Sequence, residues 1–496
     1  MTTPAAPTAP AYPEKIDAAV LKIAGVVVLG AIMSILDITV VSVALPTFQE
    51  VFDATYATVA WTMTAYTLAL ATVIPLTGWA ADRFGTKRLY LAALFLFTAG
   101  SVLCAVATSI EMLIAFRVLQ GLGGGMLMPL GMTIMTRAAG PDRIGRLMAV
   151  LGIPMLLGPI TGPILGGWLI DVASWHWIFL INLPIGLLAL LYSWRVLPAD
   201  EPSETETFDF LGMLLLSPGL ALFLFGVSSI AEGGEGASFG PRVWVSATIG
   251  VLLILAFVRH ALGTDKPLID LRLFRNRRLT IATVAMFVFV IAFMGAGLLF
   301  PSYFLQVRGE TTLMAGLLIA PQGLGAMVTM PIAGVLADKV PIGRTVPFAL
   351  LVMAAGFFVF TQVGADTPYP VLCGALFVMG LGMGGTMMPI MTSALKSLTN
   401  AEVARGSTLM NIVQQIGGSI GTAVLSVVLT NQLQSRLPGA EDPLEAMAAG
   451  FGTTFTVAFV LVLVALVPVA FLPRKKEESH LLDDEDGAVA APVLMH

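Results

Sequence analysis

Two charged residues sit inside apolar runs where charge is expensive. Asp37 lies in LDITVVSVALP, and Arg117 lies in FRVLQGLGGG. A charge at the centre of a membrane helix costs about 2.5 to 3.5 kcal/mol on insertion scales, so such a residue reads first as functional. Burial favours the neutral form of a carboxyl and a nearby cation favours the ionised form, so a proton and a cationic compound can compete for one Asp. Gly30, Ser34, Asp37 and Val41 share one helical face, a small and partly polar stripe that suits a cavity. The alternative is an Asp that only bonds at a helix interface. Arg117 has Gln120 and Gly121 on its side of the helix and Gly124 one turn on. Counting the helical rise puts Asp37 and Arg117 at comparable depth in the outer half, so a pair or a water-linked relay is expected. The alternative for Arg117 is a bond to helix carbonyls or to Glu111.

A second charged element is GWAADRFGTKR, Gly78 to Arg88, between two apolar runs. Gly78 permits close helix approach, Asp82 ends a helix, Gly85 permits a tight turn, and Arg83, Lys87 and Arg88 supply cations. An acid here can pair with a basic side chain or with the positive N-terminus of another helix, as a latch that breaks when a cavity opens. Its expected counterpart is the start of the thirteenth apolar run, near Arg405 and Gly406. The opening of the element returns as GVLADK, which places Asp338 in a second copy. Gly158, Gly162 and Gly166 recur every four residues in LLGPITGPILGGW, a smooth face for close packing, while Pro159 and Pro163 add bending; a rocking hinge is the sharper reading. Asn411, Gln414 and Gln415, with Gln322, Asn182 and Tyr303, are polar candidates to line a cavity, each open to the plainer role of interhelical hydrogen bonder.

Other chemistry is missing. The four His do not cluster, with His176 between Trp175 and Trp177 in an interfacial aromatic group. There is no G-x-x-x-x-G-K-[ST] loop for ATP and no metal-ligand spacing, so no cofactor is expected and energy should come from an ion gradient. Cys104 and Cys373 lie in apolar runs and read as small core residues. No catalytic constellation points to an enzyme. The formal charge of -5 and the scattered basic residues leave no nucleic-acid footprint.

These residues must be held by membrane helices. Of 496 residues, 57% are hydrophobic and 11% charged, and mean hydropathy is +0.90. Runs of roughly 20 apolar residues, the length that spans a bilayer, begin near Leu21, Tyr56, Arg88, Glu111, Arg146, His176, Phe210, Arg242, Leu279, Leu313, Thr345, Tyr369, Arg405 and Ala448. Lys and Arg gather on the cytoplasmic side of such proteins. With both termini inside, all but Arg117, Arg242, Arg308 and Arg436 of the 26 basic residues fall in cytoplasmic segments. A missed or invented span would scramble that asymmetry.

The halves repeat. Gly78 to Gly334 is an offset of 256, Gly124-Gly125 before Pro129 matches Gly384-Gly385 before Pro389 at 260, and Gly158/Gly162 matches Gly417/Gly421 at 259. The expected organisation is an all-α polytopic membrane protein with a cytoplasmic tail over 1–19, a six-helix bundle over 20–197, a linker with two extra spans over 198–278, a second six-helix bundle over 279–473 and a cytoplasmic tail over 474–496.

At this point the chain resembles the major facilitator superfamily, specifically its fourteen-span drug:proton antiporters, over nearly all its length. The matching elements are LDITVVSVALP, GWAADRFGTKR, RVLQGLGGG, GPITGPILGG and WHWIFLINLPIG. The resemblance implies export of lipophilic cations or neutral compounds in exchange for protons. It implies that Asp37 recognises a cation or couples protons, that Arg117 transfers protons, that Asp82 with Arg83 forms a cytoplasmic gate, and that Gly162, Pro163, Gly166 and Gly167 form the antiporter glycine motif. Ser42 stands where the family usually has Asn and His176 where it usually has Arg. No acid lies deep in spans ten or thirteen, so dications are disfavoured as cargo. Expected partners are small lipophilic substrates and membrane lipid, for a monomer in the plasma membrane. Export of lipids or siderophores suits the 25 Met and 28 Phe equally. A non-transporting receptor or scaffold is the reading from another class.

Overall fold

The computed structural model describes residues 17–139, 143–200, 208–232, 240–438 and 440–475; the side chains of residues 56–57, 153–157, 159–160, 163, 230–232, 241–242 and 312 lie outside that description. Most of both expected tails, the EPSETET stretch of the linker, and the side chains of Pro159, Pro163 and Arg242 therefore lie outside the described residues.

The chain folds into helices α1 (Ala18–Phe52), α2 (Tyr56–Phe84), α3 (Thr86–Ala105), α4 (Ile110–Ala139), α5 (Ile144–Val172), α6 (Trp177–Leu180), α7 (Asn182–Val196), α8 (Phe210–Glu232), α9 (Pro241–Gly263), α10 (Arg277–Gln306), α11 (Thr312–Lys339), α12 (Ile342–Phe360), α13 (Tyr369–Gly384), α14 (Met387–Lys396), α15 (Val403–Arg436) and α16 (Pro443–Ala470). Among the described residues thirteen segments are long and apolar enough to span a membrane. In two of them a pair of helices, α6 with α7 and α13 with α14, makes up one span. The 29-residue α5 runs alongside as a further long apolar helix. The protein is a multi-pass membrane protein.

Local sequence explains the boundaries. Asp17, Thr55, Asn276, Thr311 and Asp442 cap α1, α2, α10, α11 and α16 by accepting bonds from first-turn amides. Gly85 joins α2 to α3 at φ 87°, a conformation that strains any residue with a Cβ. Prolines such as Pro46, Pro75 and Pro129 lie inside helices, which neighbouring helices tolerate in a bilayer.

α1 to α7 and α10 to α16 form two bundles. α5 packs on α11 and α14, and α15 packs on α2 and α4, which joins the halves. The extra helices α8 and α9 pair with each other, and α8 lies against both α2 and α15. The named contacts across the halves gather at the face where α2, α4, α11 and α14 end and α5 and α15 begin. That face carries most of the loop Lys and Arg, and is called the basic face below.

Candidate functional site

Asp37 and Arg117 meet inside the first bundle. The short break between α6 and α7 at Ile181 and the close packing of α1 on α4 bring five helices to one point. Arg117 Nη1 lies 2.5 Å from Asp37 Oδ2. Gln120 Nε2 donates to Asp37 Oδ1 at 2.7 Å and to Ser101 Oγ at 2.7 Å. Asn182 Nδ2, from the first turn of α7, reaches the same two oxygens at 3.4 and 3.3 Å. The rest of the guanidinium is also answered. Nη1 donates to Gln120 Oε1 at 2.6 Å, Nε to the Thr62 carbonyl at 3.0 Å, and its carbon lies 4.1 Å from the Tyr66 ring centre. The two charged side chains are 0% and 1% exposed.

Donor accounting tells what this arrangement favours. Arginine and the amide nitrogens of Gln and Asn can only donate, and an ionised carboxylate can only accept. Three donors converge on Asp37, so the network as built suits the carboxylate. Arg117 therefore bonds a helix carbonyl as well as Asp37, rather than one or the other.

The expectation that the Gly30–Ser34–Asp37–Val41 stripe lines an open cavity is corrected. A Cβ at Gly30 would collide with the Tyr90 hydroxyl, Ser34 Oγ lies 3.3 Å from Tyr66 Oη, and Val41 is 0% exposed. The stripe turns into its own bundle because small residues let α3 and α2 approach. Gln120 and Asn182 are sealed in the same network, and Tyr303 is buried in the second bundle with its hydroxyl on the Gly364 carbonyl at 2.8 Å. These three cavity candidates, with Ser34, are interior bonding groups. Asn411 is different: its amide reaches across the halves to Met132 Sδ at 3.1 Å. Gln414 and Gln415 follow it along α15, half-buried, and Gln322 is half-buried on α11. Ser42 is exposed and bonds the Thr39 carbonyl.

At the basic face two latches close the halves. Asp82 at the end of α2 lies 3.6 Å from Arg405 Nε of α15 and 3.5 Å from Arg137 Nη2 of α4. Gly78 brings α2 against Arg405 and Thr408. Asp338 at the end of α11 accepts the Gly145 and Arg146 amides at 3.0 and 3.3 Å, Arg146 Nε at 3.2 Å and Lys396 Nζ at 3.0 Å. The second latch is the drier, at 3% carboxylate exposure against 16%, and it uses the N-terminus of α5 as well as side chains. Arg83 and Arg88 are corrected: both are exposed on the turn, away from the seam. Gly85 acts through its backbone, with the Asp200 carboxylate capping the Lys87 and Arg88 amides beside it.

Arg137, Arg146 and Lys396 escaped the sequence reading, although a signal existed. Arg137 to Lys396 and Arg146 to Arg405 are both offsets of 259 (396 − 137 and 405 − 146), matching the glycine repeat.

Gly158, Gly162 and Gly166 bring α5 onto Ile35, Thr39 and Val40 of α1, whereas Gly167 has nothing within 4 Å of its Cβ position and stands off that seam. Gly167 is thus corrected as a seam residue. Outside the membrane spans, Asp209 joins α8 to α9. Burial pushes its carboxyl up, but bonds from the Gly212 amide, the His260 ring at 2.7 Å and the Leu268 amide outweigh this and hold it below the usual range.

Comparison with known proteins now bears on this geometry. The sequence model describing the Major Facilitator Superfamily matches residues 27–422. The chain is 48% identical to a "Multidrug resistance protein B homolog" of Mycobacterium tuberculosis, over 95% of this chain and 93% of that protein. It is 32% identical to the "Multidrug export protein EmrB" of Haemophilus influenzae, over 82% and 79% of the two chains. Among solved structures, the human organic anion transporter MFSD10 superposes with a TM-score of 0.63 at 18% identity, covering 91% of this chain and all of that one. The proton:xylose symporter XylE gives 0.60 at 16%, over 93% and 97%. At those identities the structures speak for the fold alone.

Proposed function

The chain belongs to the Major Facilitator Superfamily, and we propose that it is a proton-coupled exporter of lipophilic, chiefly cationic, compounds that works by alternating access. The Asp37–Arg117 pair carries the reading: a charge buried at this cost, answered only by donors, is a site whose occupancy can change. The names of the relatives support drugs as cargo and outward as the direction. Positive charge on the basic face supports placing it, and both termini, in the cytoplasm of the cell that carries the protein.

Protonation of Asp37 removes the charge that Arg117 answers. The guanidinium is then left with Gln120 and the Thr62 carbonyl, and the α1–α4 contact loses its strongest bond. A weaker α1–α4 contact loosens the bundle that α5 packs on, through the glycine seam at Gly158, Gly162 and Gly166. α5 in turn holds the Asp338 latch. Proton binding in the interior is thereby linked mechanically to the gate at the basic face, with no cofactor and the gradient as the source of work.

The test is efflux of a panel of lipophilic cations from proteoliposomes under an imposed pH gradient. Wild type should export in proportion to the gradient, and Asp37→Asn should fall to the rate of protein-free vesicles. Equal flux through both proteins would remove Asp37 from the mechanism. Uptake of a cation panel without any gradient dependence would remove proton coupling.

A further inference from the structure

The charged latches close only the rim of the basic face, and behind them lies sulfur. Met132 of α4, Met330 of α11 and Met388 of α14 are 4%, 0% and 4% exposed. Each sits where one half meets the other. A Cβ at Gly152 of α5 would collide with the Met330 sulfur and methyl and come within 3.5 Å of the Met388 methyl. α5 therefore presents bare backbone to two thioethers of the second bundle. At the other seam the Asn411 amide donates to Met132 Sδ.

These five residues share one depth. Met132, Met330 and Met388 lie seven, nine and eight residues before the ends of their helices, and Gly152 and Asn411 each lie eight after their starts. At the helical rise that is a layer about 10 to 14 Å inside the face. The latch residues Asp82, Arg137, Arg146, Asp338 and Arg405 lie within two residues of the same ends. Gly152 and Asn411 are also repeat equivalents, since 411 − 152 = 259. The two seams thus meet the thioethers at matching positions, one through bare backbone and one through an amide.

We propose that Met132, Met330 and Met388, with Gly152 and Asn411, form an inner gate of thioethers, separate from the charged latches, which cargo crosses between the interior and the basic face. The cargo clause rests on the transporter reading above. An unbranched thioether has three rotatable bonds and a polarisable sulfur, so it fills irregular gaps and contacts aromatic rings favourably. A seal that must break and re-form around compounds of differing shape gains from that adaptability, where β-branched residues would be stiff. The Asn411 amide keeps its bond to the Ser407 carbonyl of its own helix at 2.8 Å and meets across the halves only a weak acceptor, so parting them forfeits little there. In this scheme the latches set when the face opens and the thioether layer sets what passes.

The experiment uses Met330→Cys in the full-length protein, labelled from the basic face with a membrane-impermeant sulfonated maleimide. The chain with only its native cysteines serves as the blank. With the latches intact, uptake of label should equal the blank. With Asp82→Asn and Asp338→Asn added, it should rise roughly tenfold as the open population grows. Fast labelling with the latches intact, or no rise when they are removed, overturns the gate. Should Met330→Cys fail to fold, Met388→Cys is read the same way. Labelling needs no cargo, so its result stands whether or not export is found; a protein that labels as expected yet exports nothing overturns the export reading alone. Where export is measured, Met330→Cys with intact latches should take up label and lose transport together during turnover, and undiminished transport by fully labelled protein overturns passage through this layer.

Discussion

Asp37 and Arg117 show how one residue pair can be both costly and retained. Removing one partner of a buried pair leaves the other charge unanswered, so Asp37→Ala should lower stability by about 3 to 5 kcal/mol. Arg117→Met in the same chain should recover part of that loss, because neither charge then remains; thermal unfolding in detergent measures both. A double variant no more stable than the single would mean that Thr62 and Gln120 satisfy Arg117 without Asp37. A second residue-scale prediction concerns Asp209. Its folded carboxyl lies below the unfolded value of 3.8, so its contribution is complete above that pH and is lost only as pH falls through the lower folded value. Hydrogen exchange of the α8–α9 connection, taken relative to the intrinsic rate of an unprotected amide at each pH, should therefore be flat from neutrality to about pH 5 and quicken only in stronger acid. Asp209→Asn should quicken it at neutral pH. Of the residues around Asp37, the sequence pointed to Gln120 and Asn182 but placed them in a cavity. It gave no sign of Ser101, Thr62 or Tyr66, since small polar residues are common inside membrane helices and only packing shows which of them converge.

Among elements, α5 carries the most consequence. Its glycine face brings it onto α1, and a Cβ at Gly162 would already collide with the Thr39 hydroxyl. Gly162→Leu should thus force α5 off α1 and stop transport while the chain still inserts; Gly167→Leu, with open space at its Cβ position, should export normally. Proteoliposome flux beside a measure of inserted protein decides it, and normal flux in Gly162→Leu would leave that seam without a part in rocking. The four-residue glycine spacing was visible in the sequence because packing faces repeat with the helix. That Gly167 falls off the seam was not, because neighbouring glycines look alike until the partner helix is placed. The broken spans α6–α7 and α13–α14 were likewise read as single runs, since hydropathy does not register a break of one or two residues in the helix.

For the whole molecule, the named contacts across the halves lie at one end, and both latches hold that end shut. Breaking both should shift the population toward closure at the opposite face. Spin labels at Val51, at the far end of α1, and Leu313, at the start of α11, both exposed, should then come closer in Asp82→Asn/Asp338→Asn than in wild type; an unchanged distance distribution would mean that the latches do not set the conformation. The drier Asp338 latch should matter more than Asp82 when each is removed alone, as its amide bonds from α5 are lost together.

Composition, the spacing of apolar runs and the bias of Lys and Arg determined a membrane bundle, because the bilayer admits few backbone solutions and charges each span for its loops. The repeat at 256 to 260 determined that the two halves share one plan, and it held Arg137, Arg146 and Lys396 for a reader who followed it from glycines to cations. What tertiary structure decided was direction. Whether Asp37 looks into its own bundle or between the bundles, whether Arg83 or Arg137 answers Asp82, and which methionines meet at the seam all depend on helix rotation. Helix rotation is fixed by packing between distant segments, which no local pattern records.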